Sequence, residues 1–92
     1  QLTVMFCDLV GSTALATHLD PEDFSILLGR FHSTCRVAIE AFGGQVGQLL
    51  GDGVLSYFGY PTAHEGDVER AVNAALDVLA RVAELTGPNT AR

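Results

Sequence analysis

The sequence contains no lysine and no tryptophan, and five arginines face eleven acidic residues, which gives a formal net charge of −6. A surface that binds nucleic acid or an anionic membrane needs a concentration of basic side chains. The composition therefore argues against both partners. No apolar run approaches the roughly 20 residues that cross a bilayer, and the first residues lack the pattern of a signal peptide.

Cysteine is also scarce: the chain has only Cys7 and Cys35, whose spacing matches no metal-binding motif. We expect both to be small buried hydrophobes in a reducing compartment, which predicts a cytoplasmic protein. Because 48% of the residues are apolar, a folded core is expected. Residues 1–92 make one domain or part of one, and the start at Gln1 without Met is interpreted as a cut from a longer protein.

Hydrophobic periodicity predicts the element order β-α-β-β-α, with a short additional helix ending near Leu19. The main elements are expected at Leu2 to Cys7, Asp20 to Phe42, Gln45 to Leu50, Val54 to Phe58, and Glu65 to about Leu85. The long first helix should bury Phe24, Leu27, Leu28, Phe31, Cys35, Ala38, Ile39 and Phe42. The last helix should bury Val68, Ala71, Val72, Ala75, Leu76, Leu79 and Val82, and should end at Gly87-Pro88.

This order predicts an α+β, ferredoxin-like (split βαβ) sheet with helices on one face, truncated before the last strands. A right-handed helical crossover makes the first two strands parallel, so the third can insert between them, antiparallel to both. The end of the first strand then lies beside the turn between the other two. Asp8 and Asp52, distant in sequence, should meet at one edge of the sheet.

These two acids could hold a divalent metal ion, since Mg²⁺ takes oxygen ligands and usually one or two carboxylates plus phosphates. The turn formed by Gly11, Ser12 and Thr13 follows Asp8 and precedes a helix, so its N–H groups could hold phosphates. Each acid also has an ordinary interpretation. Asp8 could cap the following turn, and Asp52 could be a common hairpin aspartate.

The segments VMFCDLVGST and QLLGDGVLSYFG together resemble the class III adenylate and guanylate cyclases, and the resemblance covers essentially all 92 residues. It implies that Asp8 and Asp52 bind two Mg²⁺ or Mn²⁺ ions, with the backbone carbonyl of Leu9 as a further ligand. It implies that the 11–13 turn binds the triphosphate. The implied reaction converts ATP (or GTP) into a 3′,5′-cyclic nucleotide and pyrophosphate.

The position of Gln48 departs from the family pattern, because adenylate cyclases usually carry Lys there and guanylate cyclases Glu. An amide both donates and accepts hydrogen bonds, so Gln48 could read either purine, and a solvent-facing strand residue is the alternative. The family builds its sites between two subunits, which implies a homodimer or pseudo-heterodimer with Gln48 acting across the interface.

The family's transition-state Asn and Arg lie on the segment after the last helix, so we expect the 92 residues to be inactive alone, with no catalytic residue among them. A degenerate cyclase-like regulatory or dimerisation domain is the main alternative. A diguanylate cyclase-like domain fits poorly, because Gly51-Asp52-Gly53 does not match that family's hairpin. Structural or solvated roles are expected for His18, His32 and His64.

Overall fold

The computed structural model describes residues 2–9, 17–60 and 62–90, with side chains described as far as residue 84. The described elements confirm the predicted order. They are strand β1 (Thr3–Asp8), helix α1 (Pro21–Ala41), strands β2 (Gln45–Leu50) and β3 (Gly53–Phe58), and helix α2 (Asp67–Thr90). The predicted short helix falls mostly on residues outside these ranges.

The three strands form one sheet in the order β1-β3-β2, and β3 is antiparallel to both neighbours. The first two strands are therefore parallel, and the third lies between them, as the crossover argument predicts. The pairing of β1 with β3 runs without interruption from Thr3 opposite Phe58 to Asp8 opposite Gly53. The pairing of β2 with β3 contains an irregularity between Val46 and Gln48. The α+β fold with its partial ferredoxin-like topology is confirmed.

Helix α1 begins where the sequence predicts, with Pro21 in its first turn and Glu22 and Asp23 near the positive end of the helix dipole. Asp20 occupies the N-cap position, but its side chain makes no capping hydrogen bond. Its backbone carbonyl accepts the N–H of Phe24 at 2.9 Å. The position of the helix start was predicted correctly.

The C-terminal end of α1 is closed by a Schellman motif. Gly43 adopts a left-handed conformation (φ 85°), which favours glycine. Its N–H donates to the carbonyl of Glu40 at 3.1 Å, and the N–H of Gly44 donates to the carbonyl of Ile39 at 2.9 Å. Both bonds satisfy carbonyls that the last helical turn leaves unpaired, so the two glycines end the helix as predicted.

The core lies between the sheet and the two helices. Its buried apolar side chains are Leu9, Phe31, Cys35, Ala38, Ile39, Val54, Phe58, Ala71, Ala74 and Val78. The centre of the predicted α1 stripe is confirmed by this set. Among the residues whose burial is described, the polar side chain of Ser56 is fully buried, and its hydroxyl donates to the carbonyl of Met5 at 3.1 Å, which ties β3 to β1.

The predicted buried face of α2 is wrong for most of its residues. Ala71 is buried as expected, but it is joined by Ala74 and Val78. Four of the larger predicted residues are between 53% and 67% exposed; they are Val68, Val72, Leu76 and Leu79. Val82 is partly buried and packs against the core, as predicted. Alanine lets the helix backbone approach its neighbours closely, so the line of small residues faces the core and the bulkier line faces outward.

Helix α2 ends later than the sequence predicts. The helix continues through Gly87-Pro88 to Thr90 instead of ending there. Pro88 lies in the last turn, where a proline loses the N–H bond to the preceding turn and crowds the carbonyl there, although its φ remains helical. Among residues 2–9, 17–60 and 62–90, no helix combines the length and apolar character that a membrane crossing requires.

Candidate metal and nucleotide site

Asp8 and Asp52 come together at one edge of the sheet. Asp8 is the last residue of β1 and lies opposite Gly53, the first residue of β3. One residue further on, the N–H of Leu9 donates to the carbonyl of Asp52 at 3.1 Å. The side chain of Asp8 is exposed and that of Asp52 is partly exposed. The predicted convergence of the two acids is therefore present in the fold.

The tight turn that carries Asp52 depends on the glycines around it. Leu50 pairs with Gly53, so Gly51 and Asp52 form a two-residue hairpin loop. Gly51 has a φ of 62°, and no non-glycine residue in the described ranges has a positive φ, which is the pattern of a type II′ turn. A Cβ at Gly53 would lie 2.7 Å from the ring of Phe6, so a side chain there would require this exposed ring to move.

Leu9 anchors the chain on the other side of Asp8. Its side chain is only 8% exposed and belongs to the core, while its N–H is bonded to the hairpin. Asp8 is thus held between a paired strand and a buried residue, which fixes its backbone at the sheet edge. The ligand role of the Leu9 carbonyl remains a prediction.

Of the remaining predicted site residues, the structure describes Gln48 alone. Gly11, Ser12 and Thr13 lie outside the described residues. Gln48 is exposed on β2 and is paired with Leu55, which is paired in turn with Phe6. Since paired residues share a face of the sheet, Gln48 lies on the same face as Asp8 but on the far side of β3. Two strand spacings across and two residues along the strand separate them by about 12 Å.

His32 contacts the hairpin, which the sequence did not predict. Its Nε2 lies 2.7 Å from the carbonyl oxygen of Gly51, the residue before Asp52. A carbonyl only accepts hydrogen bonds, so Nε2 carries the proton and donates it. A structural role for this histidine agrees with expectation, but its partner is 19 residues away in sequence and no local pattern indicates it.

The thiols of Cys7 and Cys35 form a hydrogen bond next to the candidate site. A hydrogen bond from Cys35 stabilises the thiolate of Cys7 and lowers the pKa of Cys7 to about 7, although partial burial opposes this shift. The same bond and burial raise the pKa of Cys35. Both cysteines are free. Cys7 immediately precedes Asp8, so this pair connects the sheet edge to the interior face of α1.

A second polar cluster lies at the start of α2. The backbone N–H of His64 donates to Oδ2 of Asp67 at 2.7 Å, and Arg70 forms an ion pair with the same carboxylate. These contacts, the His64 bond foremost, hold the pKa of Asp67 below its usual value despite desolvation. The cluster joins the loop before α2 to the first turn of the helix and lies away from the hairpin turn.

The donor set at the sheet edge fits a hard divalent cation that also binds substrate phosphates. In the described part of the chain, no group of three or more His, Cys, Asp or Glu side chains could hold a metal ion by itself. Mg²⁺ rarely uses an all-protein cage and usually takes one or two carboxylates, with water and phosphate completing its shell. Two neighbouring aspartates beside a backbone turn meet this requirement.

The fold and its likeness to known proteins show that the chain belongs to the class III nucleotidyl cyclase family. Its structure matches the adenylyl cyclase CyaB from P. aeruginosa with a TM-score of 0.89 and 27% identity, over 98% of this chain and 47% of that one. It matches the guanylyl cyclase Cya2 with a TM-score of 0.86 and 29% identity, over 92% and 43%. The guanylate cyclase domain of RhGC from Catenaria anguillulae, solved with GTP, gives a TM-score of 0.80 at 25% identity, over 87% and 44%.

Sequence relatives agree with this class. An uncharacterized protein of Mycobacterium tuberculosis is 32% identical over 82 residues, or 89% of this chain, and a cytidylate cyclase of Staphylococcus aureus is 32% identical over 72 residues, or 77%. An adenylate cyclase of Anabaena cylindrica is 25% identical over 76 residues, or 83%. The chain spans 15%, 17% and 14% of these relatives. No protein-family model matches the chain.

Proposed function

We propose that this chain supplies the metal- and triphosphate-binding part of a cytoplasmic purine nucleotide cyclase, which forms a 3′,5′-cyclic nucleotide and pyrophosphate. The observation that carries the proposal is the hydrogen bond from the Leu9 N–H to the Asp52 carbonyl, which brings two carboxylates from distant segments to one edge. An ordinary capping aspartate and an ordinary hairpin aspartate have no need to be neighbours.

The proposed roles follow from the chemistry of each group. Asp8 and Asp52 hold two Mg²⁺ or Mn²⁺ ions through their carboxylates, with the Leu9 carbonyl as an additional ligand. Bound there, the ions supply neutralisation of the triphosphate and activation of the ribose 3′-hydroxyl. Residues 11–13 hold the phosphates with backbone N–H groups. Because the chain carries a net charge of −6, it needs metal ions or backbone N–H groups to hold a polyphosphate.

The proposed substrate is ATP, with GTP as the alternative, and Gln48 reads the base. Its side-chain amide can donate and accept, so it can pair with either purine edge. The named relatives act on adenine, guanine and cytosine nucleotides, so CTP is included in the test.

We propose that two such domains pair as a homodimer or pseudo-heterodimer. Gln48 shares a sheet face with Asp8 but is separated from it by β3. One chain therefore does not place its base-reading residue against its own metal carboxylates. A second domain facing this surface would bring the Gln48 of one chain to the aspartates of the other.

The first test is titration of the purified chain with Mn²⁺ in the presence of non-hydrolysable ATP, GTP and CTP analogues. Asp8→Asn and Asp52→Asn should each weaken Mn²⁺ binding by more than about tenfold. Asp23→Asn, which neutralises an exposed acid in the first turn of α1, is the matched control and should leave binding unchanged. Equal Mn²⁺ affinity in all four proteins would refute the metal site.

A catalytically degenerate regulatory domain is the second candidate, favoured by Gln48 at a position where cyclases of known specificity carry Lys or Glu. It predicts nucleotide binding or pairing of chains without turnover. A cyclase assay on a protein that contains this chain within a complete cyclase domain distinguishes the two candidate functions. If it forms cyclic nucleotide and Asp52→Asn abolishes that activity, the regulatory candidate fails.

A further inference from the structure

Asp52 lies between two glycines in the hairpin loop. Gly51 and Gly53 flank it and carry no side chains, and a Cβ at Gly51 would meet nothing within 4 Å. The direction in which the Asp52 side chain leaves the backbone is set by the two peptide planes that flank its Cα. Each of these planes accepts a hydrogen bond, and the two bonds come from different elements.

The peptide group before Asp52 is fixed by α1, and the peptide group after it is fixed by the end of β1. Nε2 of His32 donates to the Gly51 carbonyl at 2.7 Å, and that carbonyl shares a peptide plane with the Asp52 N–H. The Leu9 N–H donates to the Asp52 carbonyl at 3.1 Å. The Cα of Asp52 thus lies between two anchored planes, which restricts both of its backbone dihedrals.

We propose that His32 is a positioning residue for the candidate metal site: it fixes the Gly51 carbonyl and thereby sets the direction in which the Asp52 side chain leaves the turn. The inference rests on the proposed function for the identity of the ion. The positioning itself rests only on the hydrogen bond. His32 touches neither metal nor substrate and acts through the turn.

Two substitutions separate the hydrogen bond from the bulk of the ring. His32→Gln places an amide N–H near the position of Nε2 and should keep the hydrogen bond. His32→Leu removes the donor and keeps a side chain of comparable size. His64→Leu is the control, because it removes an exposed imidazole remote from the hairpin and leaves the His64 backbone N–H in place.

The first readout is amide hydrogen exchange measured by NMR, which needs no metal. His32→Leu should speed exchange of the Leu9 N–H by about three- to tenfold, since the turn that accepts its hydrogen bond loses one anchor. The His32→Gln and His64→Leu variants should stay within about twofold of the original chain. Unchanged Leu9 exchange in His32→Leu would overturn the proposal.

The second readout is Mn²⁺ affinity, with the midpoint of urea unfolding measured in parallel. His32→Leu should raise the Kd for Mn²⁺ by about three- to tenfold, and His32→Gln should restore it. If the two aspartate variants lose Mn²⁺ and His32→Leu does not, the positioning role fails while the proposed function stands. If the original chain binds no Mn²⁺, the proposed function fails, and the Leu9 exchange rate still decides whether His32 holds the turn.

Discussion

Alanine substitution at two adjacent positions of α2 tests which face of this helix lies in the core. Val78 is 5% exposed and packs in the core, whereas Leu79 is 67% exposed. The sequence pattern predicted the reverse for this pair, with Leu79 in the buried stripe and Val78 outside it. If Val78 lies in the core, Val78→Ala should destabilise the 92-residue chain more than Leu79→Ala does. If Leu79 lies in the core, the order of the two losses is reversed.

The expected magnitudes follow from the burial of each side chain. Val78→Ala removes two buried methyl groups, worth about 1.6 kcal/mol at about 0.8 kcal/mol per carbon. The residual cavity adds to this cost, and the better helix propensity of alanine recovers about 0.5 kcal/mol. We expect a net loss of about 1–2 kcal/mol. Leu79→Ala removes carbons that are largely in water already, so it should cost at most about 0.5 kcal/mol.

Urea denaturation followed by circular dichroism measures both variants. For a domain of this size the slope is about 1 kcal/mol per molar urea, so Val78→Ala should lower the midpoint by about 1 M or more. Leu79→Ala should shift it by less than half of that amount. A larger loss for Leu79→Ala than for Val78→Ala would refute the assigned rotation of the helix.

Three further outcomes are expected. In metal-free buffer, the rate of Cys7 alkylation by iodoacetamide should rise with a midpoint near the lowered pKa of about 7, and Cys35→Ala should return that midpoint toward the ordinary thiol value of about 8.5. A normal midpoint in the original chain would contradict the thiol pair. The Asp67 carboxylate has a lowered folded pKa, so its stabilising effect is present above about pH 4 and is lost as the pH falls through the folded pKa. Asp67→Asn should therefore flatten the acid limb of a plot of urea midpoint against pH, and an unchanged limb would count against these contacts. Ser56→Ala should cost about 0.5–1.5 kcal/mol in urea unfolding, because the Met5 carbonyl loses a buried donor, and a neutral result would contradict the bond.

The sheet could be predicted because its hairpin is set by neighbouring residues and its strand order follows from the right-handed crossover. The hairpin was marked by glycines on both sides of Asp52, and the insertion of β3 followed from the right-handed crossover through α1. The neighbouring positions of Asp8 and Asp52 followed from that topology. The ends of α1 were marked by Pro21 and by the two glycines after Phe42.

The remaining features depend on contacts that sequence patterns do not contain. Val72 and Leu76 recur at helical spacing as regularly as the buried line through Ala74 and Val78, so periodicity alone could not choose the face of α2. The choice depends on how closely the helix backbone can approach the sheet and α1. The bond from His32 to the hairpin likewise depends on the distance between a helix and a turn, which only the packed structure determines.

The sequence separation between β1 and β3 determines when the candidate site is assembled during folding. The β2–β3 hairpin closes through a two-residue loop, whereas Met5 and Ser56 are 51 positions apart. Closing a flexible loop of that length costs about 3.5 kcal/mol of chain entropy, apart from a constant term. The hairpin carries Asp52 but lacks Asp8, so an intermediate that contains only the hairpin presents half of the pair. A cation that needs both carboxylates would therefore bind only to chains in which β1 is already paired with β3. Its binding would lower the unfolding rate more than it raises the rate at which the hairpin forms.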